Sequence, residues 1–450
     1  MAKIICATSG LTGILNASFE LVARLENAGH TVIYTSPKSI GEKIRRQGIP
    51  FVQLPEIKTN EEEKLPPFKG RLRQVKRWRY KFENATERRQ KALAAIEPIA
   101  FEKLIEEEQP DLLIIDIELH EYIFKASGRK LPTLLLSQWF SLWNRPGLPY
   151  LLHDTIPGKG WRGQRWAIYF SWQWIKMKRW LTFSKQQFLS VGTDRRSSLL
   201  ALAKKESFPT QLIKENYWPG PFTYDQLPVL SMTNKEMEFP HPLRPNLHYI
   251  GAMVCESRKE TPLEEKEKSK LRAALQYKST NAAALIYCSV STLHPGDHHF
   301  IKKIIAAVST QKKWMLIIGL GGLIEQSSFQ GLPDNVFAFK RVPQLQILKA
   351  AACSINHGGI HTINECIHFK VPMLIYSGKR SDQNGCAARV DFHQLGLMAD
   401  KDLDGPKEIT NKITAVLTKP VFRKNINEMH LHYLRYKEDA VLEKIIRVYV

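Results

Sequence analysis

The sequence predicts an α/β protein built from two doubly wound parallel-sheet domains. Three observations lead there. The chain is 450 residues long, beyond the size at which one core usually serves. Short apolar runs alternate with stretches of helical periodicity, the order that a parallel sheet with crossover helices requires. A proline-rich stretch over 218–250 and a charged helical stretch over 256–279 divide the alternation into two series. The boundary is set near residue 252.

The hydrophobic fraction, 43%, suffices for two cores. Six cysteines are scattered without a Cys-x-x-Cys pair, which argues against a disulfide framework or a zinc site and for a reducing cytosol. Met1-Ala2-Lys3 followed by Ile4-Ile5-Cys6 reads as a short buried strand, its apolar run too short for a signal peptide. No uncharged run reaches the length of a membrane span. The net charge of +21 raises three partners: nucleic acid, an anionic membrane face and anionic small ligands. No module with base-reading residues accompanies it, so nucleic acid is set aside.

Residues 3–7 read as a first strand and 8–13 as the turn after it. Phe19, Leu21, Val22 and Leu25 mark a helix ending at Ala28-Gly29, and 30–34 is a second strand, so the chain opens on a βαβ unit. The turn lacks the Gly-x-Gly-x-x-Gly spacing of a dinucleotide fingerprint. Arg71, Arg73, Lys76, Arg77, Arg79 and Lys81 make a basic helix face, either solvated or set against an anion or membrane. Residues 110–116 form a buried strand ending on Asp116, with Glu118 and His120 just beyond. Strand C-termini in open α/β sheets face the ligand crevice. The competing reading of Asp116 is a helix cap, and of Glu118 and His120 ordinary local structure.

From 138 to 183 the chain changes character. Trp139, Trp143, Trp161, Trp166, Trp172, Trp174 and Trp180 fall there, with prolines and glycines in the first half and a helix from Arg165 to Lys185 in the second. Tryptophan flanked by Lys and Arg suits a helix lying at a lipid headgroup layer. An aromatic wall around an apolar acceptor pocket, or plain core, are the other readings. The second series opens with a strand over 283–288, followed by Ser289 and Thr292. A helix over 300–308, a strand over 314–319, a glycine-rich turn and a strand over 336–339 come next.

Residues 342–383 then read as strand, glycine-rich turn, helix, second strand and polar loop. His357-Gly358-Gly359 allows a tight turn and close backbone approach. A helix starting behind it offers free N–H groups and a dipole to a diphosphate. Glu365, one turn in, suits the two vicinal hydroxyls of a ribose. Asp382 and Gln383 follow the next strand, where sugar hydroxyls fit.

These residues resemble the donor-binding signature of the UDP-glycosyltransferases, the GT-B enzymes of glycosyltransferase family 1. The matches are Val342-Pro343-Gln344, His357-Gly358-Gly359, Thr362 for a serine, Glu365, Val371-Pro372 and Asp382-Gln383. Asn384-Gly385 and Ala387-Ala388-Arg389-Val390 resemble the bacterial tail of the motif. Three positions depart: Arg341 stands where an aromatic often stacks on the base, His361 replaces the usual Asn, and Lys370 the usual Gly. In the first domain Gly29-His30 matches the family's opening unit. Counting back from it, the family's catalytic histidine falls on Ile14, which cannot take a proton. The aspartate that usually orients that histidine aligns with Asp116.

The resemblance implies two Rossmann-like domains facing across a cleft: 1–252 binding the acceptor, 253–425 binding the nucleotide sugar, and a helix over 426–450 packing back on the first. It implies an inverting transferase using no obligatory metal. Ser289, Thr292, His357, Thr362 and the helix start would take the diphosphate charge, Gln344 the base edge, Glu365 the ribose, and Asp382 and Gln383 the sugar. Ser291 replaces a glycine of the phosphate loop. Arg341 either stacks on the base or lies at the surface. Ile14, Glu118, His120, Trp139 and Trp143 are placed at the acceptor. The deprotonating group is left open: Asp116, Glu118 or His120 acts directly, or the acceptor needs little help. The favoured reading is transfer from a UDP-sugar to a lipophilic alcohol or phenol, carotenoid or sterol-like, in the cytoplasm at the membrane face. The other is a catalytically silent nucleotide-sugar-binding partner.

Overall fold

The computed structural model describes the chain except residues 58–66, 68–69, 217, 261, 290–297, 322–323, 325–327 and 330. Strands β1 (Lys3–Ala7), β2 (Thr31–Ser36), β3 (Phe51–Gln53), β4 (Leu112–Asp116) and β5 (Thr133–Ser137) begin the first sheet. A small antiparallel hairpin follows, β6 (Ile213–Glu215) with β7 (Phe222–Tyr224). Strands β8 (Val229–Ser231) and β9 (Leu247–Tyr249) complete the sheet in the order β3-β2-β1-β4-β5-β8-β9, all parallel.

The second sheet holds β10 (Ala284–Ser289), β11 (Trp314–Gly319), β12 (Val336–Phe339), β13 (Cys353–Asn356), β14 (Met373–Tyr376) and β15 (Gly396–Ala399). Its order is β12-β11-β10-β13-β14-β15, again parallel. Strands such as Leu112–Asp116 are buried along their full length, as a sheet covered by helices on both faces demands. Each sheet reverses its winding once, between β1 and β4 and between β10 and β13. Ligand crevices in open parallel sheets lie outside the strand ends at such points. The reversals bring together the ends at Ala7 and Asp116 in one domain and at Ser289 and Asn356 in the other.

The first helix runs Thr12–Asn27 and buries Ile14, Leu15, Leu21, Val22 and Leu25 against the sheet. It starts inside the stretch that the sequence assigns to a turn. That start settles the fate of Ile14. The side chain has no exposure and packs in the core with Ile4, Leu15 and Val22. The acceptor contact expected of it is not made, because an apolar side chain in the first helical turn is drawn under the helix.

The C-terminal segment is two helices, Pro420–Glu438 and Val441–Tyr449, broken at Ala440 with φ 48°. Leu442 and Ile446 join the first domain's core, and Glu443 takes an ion pair from the buried Arg24 at 2.7 Å. The longest helix, Arg165–Ser190, projects from the first domain with few buried residues. Among the described residues no helix is long and apolar enough to cross a membrane.

Candidate active site

Asp116 closes β4 and faces the loop after β1. Its two oxygens accept the backbone N–H of Ser9 at 3.0 Å and of Glu118 at 3.1 Å. It does not cap the next helix, which begins at His120 behind Leu119. Burial pushes its carboxyl above the ordinary range, opposed by those hydrogen bonds. Glu118 accepts the Trp139 indole N–H at 3.0 Å. Burial first, and the charge of Asp116 second, push Glu118 up to about 8. Two carboxyls so close titrate as a pair and hold a proton between them near neutral pH.

His120 is not in this group. Its ring is buried, Nδ1 lies 2.7 Å from the Tyr224 hydroxyl, and Phe222 packs edge-on against it. Burial and the charge of Arg195 push it down to about 3, so it stays neutral. The placement of His120 at the acceptor is therefore corrected: it ties the helix after β4 to the β7 strand. Trp139 sits edge-on to Trp218 at 4.4 Å. Trp143 stacks under Arg244 at 4.5 Å and lines a cavity of about 590 Å³ with Tyr150, Trp172, Ile175 and Trp180. The cavity walls include neither Asp116 nor Glu118; the segment 138–144 runs between the two places.

On the facing domain, Asn356 ends β13 and its Oδ1 accepts the Gly358 N–H at 2.9 Å. Gly358 has φ 85°, and a Cβ there would stand 2.9 Å from the carbonyl oxygen of Gln383. Only glycine fits both demands. The helix Ile360–His368 begins directly behind this turn, with Gly359 before its first residue. His357 and Thr362 are half-buried at its head. At the end of β10 the Ser289 hydroxyl is buried with no hydrogen-bond partner among the described residues. Thr292 lies outside the described residues.

Of the remaining positions expected at the donor, Glu365, Gln344, Asp382 and Gln383 make bonds within the protein. Glu365 is held at 2.5 Å by Arg258 on one oxygen and at 2.5 Å by the Gln344 amide on the other. Gln344 in turn accepts the Tyr287 hydroxyl at 3.1 Å. Arg341 is exposed, and Val342 packs on the end of β11 at Gly319. Asp382 is buried, and its carboxylate accepts the Cys386 thiol at 3.2 Å. The Gln383 side chain accepts the Gly378 N–H at 2.9 Å. Asp382 and Gln383 thus turn into the protein, where the sequence places them free for a sugar. Gln383 satisfies an N–H of the turn after β14, while Asp382 takes the Cys386 thiol and the Ile360 N–H at the head of the helix behind Gly359.

Three residues of the crevice escape sequence reasoning. Gln138 and Arg258 carry no motif. His361 shows only as a departure from a pattern. Its ring lies across the domain gap against Gly13, so that a Cβ on Gly13 would be 2.6 Å from its Cδ2. Its Nε2 is 3.0 Å from Oε1 of Gln138. Burial and the charge of Arg258 push it down to about 4, so the imidazole is neutral.

Two parallel-sheet domains with site residues at both switch points define the GT-B class of glycosyltransferase fold. Residues 317–436 match the family model described as erythromycin biosynthesis protein CIII-like, C-terminal domain. The NDP-glycosyltransferase YjiC of Bacillus licheniformis is 31% identical over 120 residues, 27% of this chain and 30% of that protein. The solved structure of the glycotransferase of kitacinnamycin superposes with TM-score 0.67 at 16% identity, covering 100% of this chain and 99% of that one. Glycosyltransferase VinC in complex with dTDP superposes with TM-score 0.60 at 15% identity, covering 99% of each chain. These likenesses show the GT-B fold over the chain and, over part of it, a sequence likeness to glycosyltransferases. The sequence matches span less than half the length of the first curated relatives, 30% and 40%.

Proposed function

We propose that the chain is an inverting glycosyltransferase that moves a sugar from a nucleoside diphosphate sugar, UDP in kind, to a hydroxyl of a lipophilic acceptor at an anionic membrane face. The observation that carries the donor reading is the helix start at 359–362 with the Ser289 hydroxyl, which has no hydrogen-bond partner among the described residues. The helix dipole, N–H groups of its first turn and the Ser289 hydroxyl converge where charge develops on a departing diphosphate, although the Ile360 N–H is already held by Asp382. The acceptor oxygen attacks the anomeric carbon, the bond to the diphosphate oxygen breaks with its electron pair, and the configuration inverts. No step calls on a metal ion. Arg258 leaves Glu365 when the ribose binds.

The acceptor reading draws on the cavity beside Trp143. Its wall is the helix Arg165–Ser190, and Trp180 belongs both to that wall and to an exposed face. On that face Trp166, Phe170 and Trp174 are each about three-fifths exposed, at 58%, 63% and 62%. The basic helix Arg73–Glu83 packs alongside, its Trp78 N–H on the Phe188 carbonyl at 3.0 Å. Aromatic rings flanked by exposed Arg and Lys are the composition of a helix seated at headgroup level. A lipophilic acceptor then enters the cavity from the bilayer.

The test is nucleoside diphosphate release from UDP- and dTDP-sugars, with and without a pool of apolar alcohols and phenols. Acceptor-dependent release is expected. Tight donor binding with no release from a broad pool favours the silent nucleotide-sugar-binding partner instead.

A further inference from the structure

We propose that His361, delivered by the donor domain, is the base that deprotonates the acceptor. The proposal rests on the transfer reading above. It answers a gap in that reading: position 14 is an isoleucine sealed in the core, and Asp116 spends both oxygens on backbone N–H groups.

The imidazole occupies the space that residue 13 leaves open. Gly13 has no side chain, and the ring fills the place where one would begin. The first domain thus presents a hollow at the head of its first helix, and the second domain fills it. His361 is also in the first turn of the helix whose N-terminus faces the diphosphate. One residue therefore stands in the gap between the two domains, half-buried rather than sealed.

The orientation of the Gln138 amide favours one tautomer. With Gln138 Oε1 accepting at 3.0 Å, Nε2 carries the ring proton. Nδ1 keeps its lone pair and has no hydrogen-bond partner among the described residues. Gln138 in turn stands against Glu118, close enough to hold its carboxyl down somewhat, although its Nε2 makes no regular hydrogen bond there. The chain Glu118, Gln138, His361 crosses the domain gap and positions the ring.

In the step itself, the acceptor O–H proton passes to Nδ1 as the oxygen bonds to the anomeric carbon. The glycosidic bond to the diphosphate breaks, and its electron pair leaves with the diphosphate. The charge acting on the ring is that of Arg258, from the segment before the helix Glu265–Thr280 and paired with Glu365; Glu118, coupled to Asp116, stands behind Gln138. In the unliganded protein burial, and second the charge of Arg258, keep the ring a weak base. An anionic diphosphate at the helix start and the withdrawal of Arg258 both favour the imidazolium. The ring therefore gains basicity when donor is bound.

The test compares two acceptors, n-octanol and para-nitrophenol, with UDP-glucose and dTDP-glucose as donors, in wild type, His361→Asn and Gly13→Ala. The second variant keeps the histidine but pushes its ring from the hollow. A positioned base contributes about 10²–10⁴-fold. The alcohol reaction is expected to fall by about that factor in both variants, while the acidic phenol, ionised without help, loses less than about tenfold. UDP binding by calorimetry stays within about threefold of wild type. Equal loss for both acceptors, or an unchanged alcohol rate, overturns the proposal. No release by wild type with any acceptor of the broad pool overturns the transfer reading itself, a result recognisable without the variants.

Discussion

Glu238 of the first domain and Arg389 of the second form an ion pair from which water is excluded, with the Arg389 Nε–H on Oε1 at 2.6 Å. The guanidinium lies between the rings of Phe140 and Phe239, at 4.6 and 4.5 Å. The other carboxylate oxygen accepts the Ser141 N–H at 2.7 Å. The pair pins the second domain to the segment that follows β5. It thereby fixes the gap that His361 and Gln138 span.

Breaking one partner of a buried pair strands the other without water or counter-charge, at about 3–5 kcal/mol. Glu238→Ala is expected to lose stability on that scale in urea unfolding. Glu238→Leu combined with Arg389→Met, which leaves no orphaned charge, is expected to recover most of it. Equal losses in the single and double variants would contradict the assignment.

Glu118 makes stability depend on pH. Its folded value, about 8, lies above the ordinary carboxyl value of 4.5. Between those values the folded protein holds a proton that the unfolded chain has released. Stability is then complete below the ordinary value, falls as pH rises through the window, and levels off above about 8, with a slope of up to about 1.4 kcal/mol per pH unit. Burial raises Asp116 in the same direction. Melting temperatures of wild type and Glu118→Gln from about pH 5 to pH 9 check this: the variant's curve is expected to be flatter. Parallel curves would count against the shared proton.

Ser289 carries a signature of opposite signs. Its hydroxyl is buried without a partner among the described residues, and an unmet polar group costs about 1–3 kcal/mol. Ser289→Ala is expected to leave the ligand-free protein as stable or more so, yet to weaken UDP binding about tenfold. A melt and a calorimetric titration on the same preparation decide it.

Gly358→Ala meets both a left-handed backbone, with φ 85°, and a carbonyl oxygen at 2.9 Å. The backbone alone costs about 1–2 kcal/mol. The turn ahead of the donor helix must shift, so UDP affinity is expected to drop more than about tenfold with the circular dichroism spectrum retained. Wild-type affinity would show that the turn does not face the diphosphate.

Trp174 and Trp180 are both 62% exposed on one helix. Burying an aromatic side chain of this kind contributes about 1.5–3 kcal/mol. Trp174→Ser with Trp180→Ser is expected to cut binding to vesicles rich in phosphatidylserine at least about tenfold, with the salt dependence kept. Unchanged pelleting, or none by wild type at low salt, would remove the membrane from the account.

Much of the fold was legible. The strand over 3–7 and the strand over 314–319 fall where the apolar runs place them. The helix expected behind His357-Gly358-Gly359 starts at Ile360. The break at Ala440 and the early start at Thr12 were not legible, since no proline or glycine pattern marks them.

By itself the sequence determined the order of strands and helices, the division into two series and the glycine turn ahead of the donor helix. Each is set by neighbours along the chain: apolar period, turn residues and spacing. Only the tertiary structure decided which side chains meet in the cleft. Successive residues on a helix point about 100° apart, so the start at Thr12 sends Ile14 into the core and leaves Gly13 facing the other domain. That His361 fills the hollow, that Arg258 holds Glu365 and that Arg389 meets Glu238 depend on how two separately folded sheets dock. Docking is a sum over surfaces, and no short run of residues carries it.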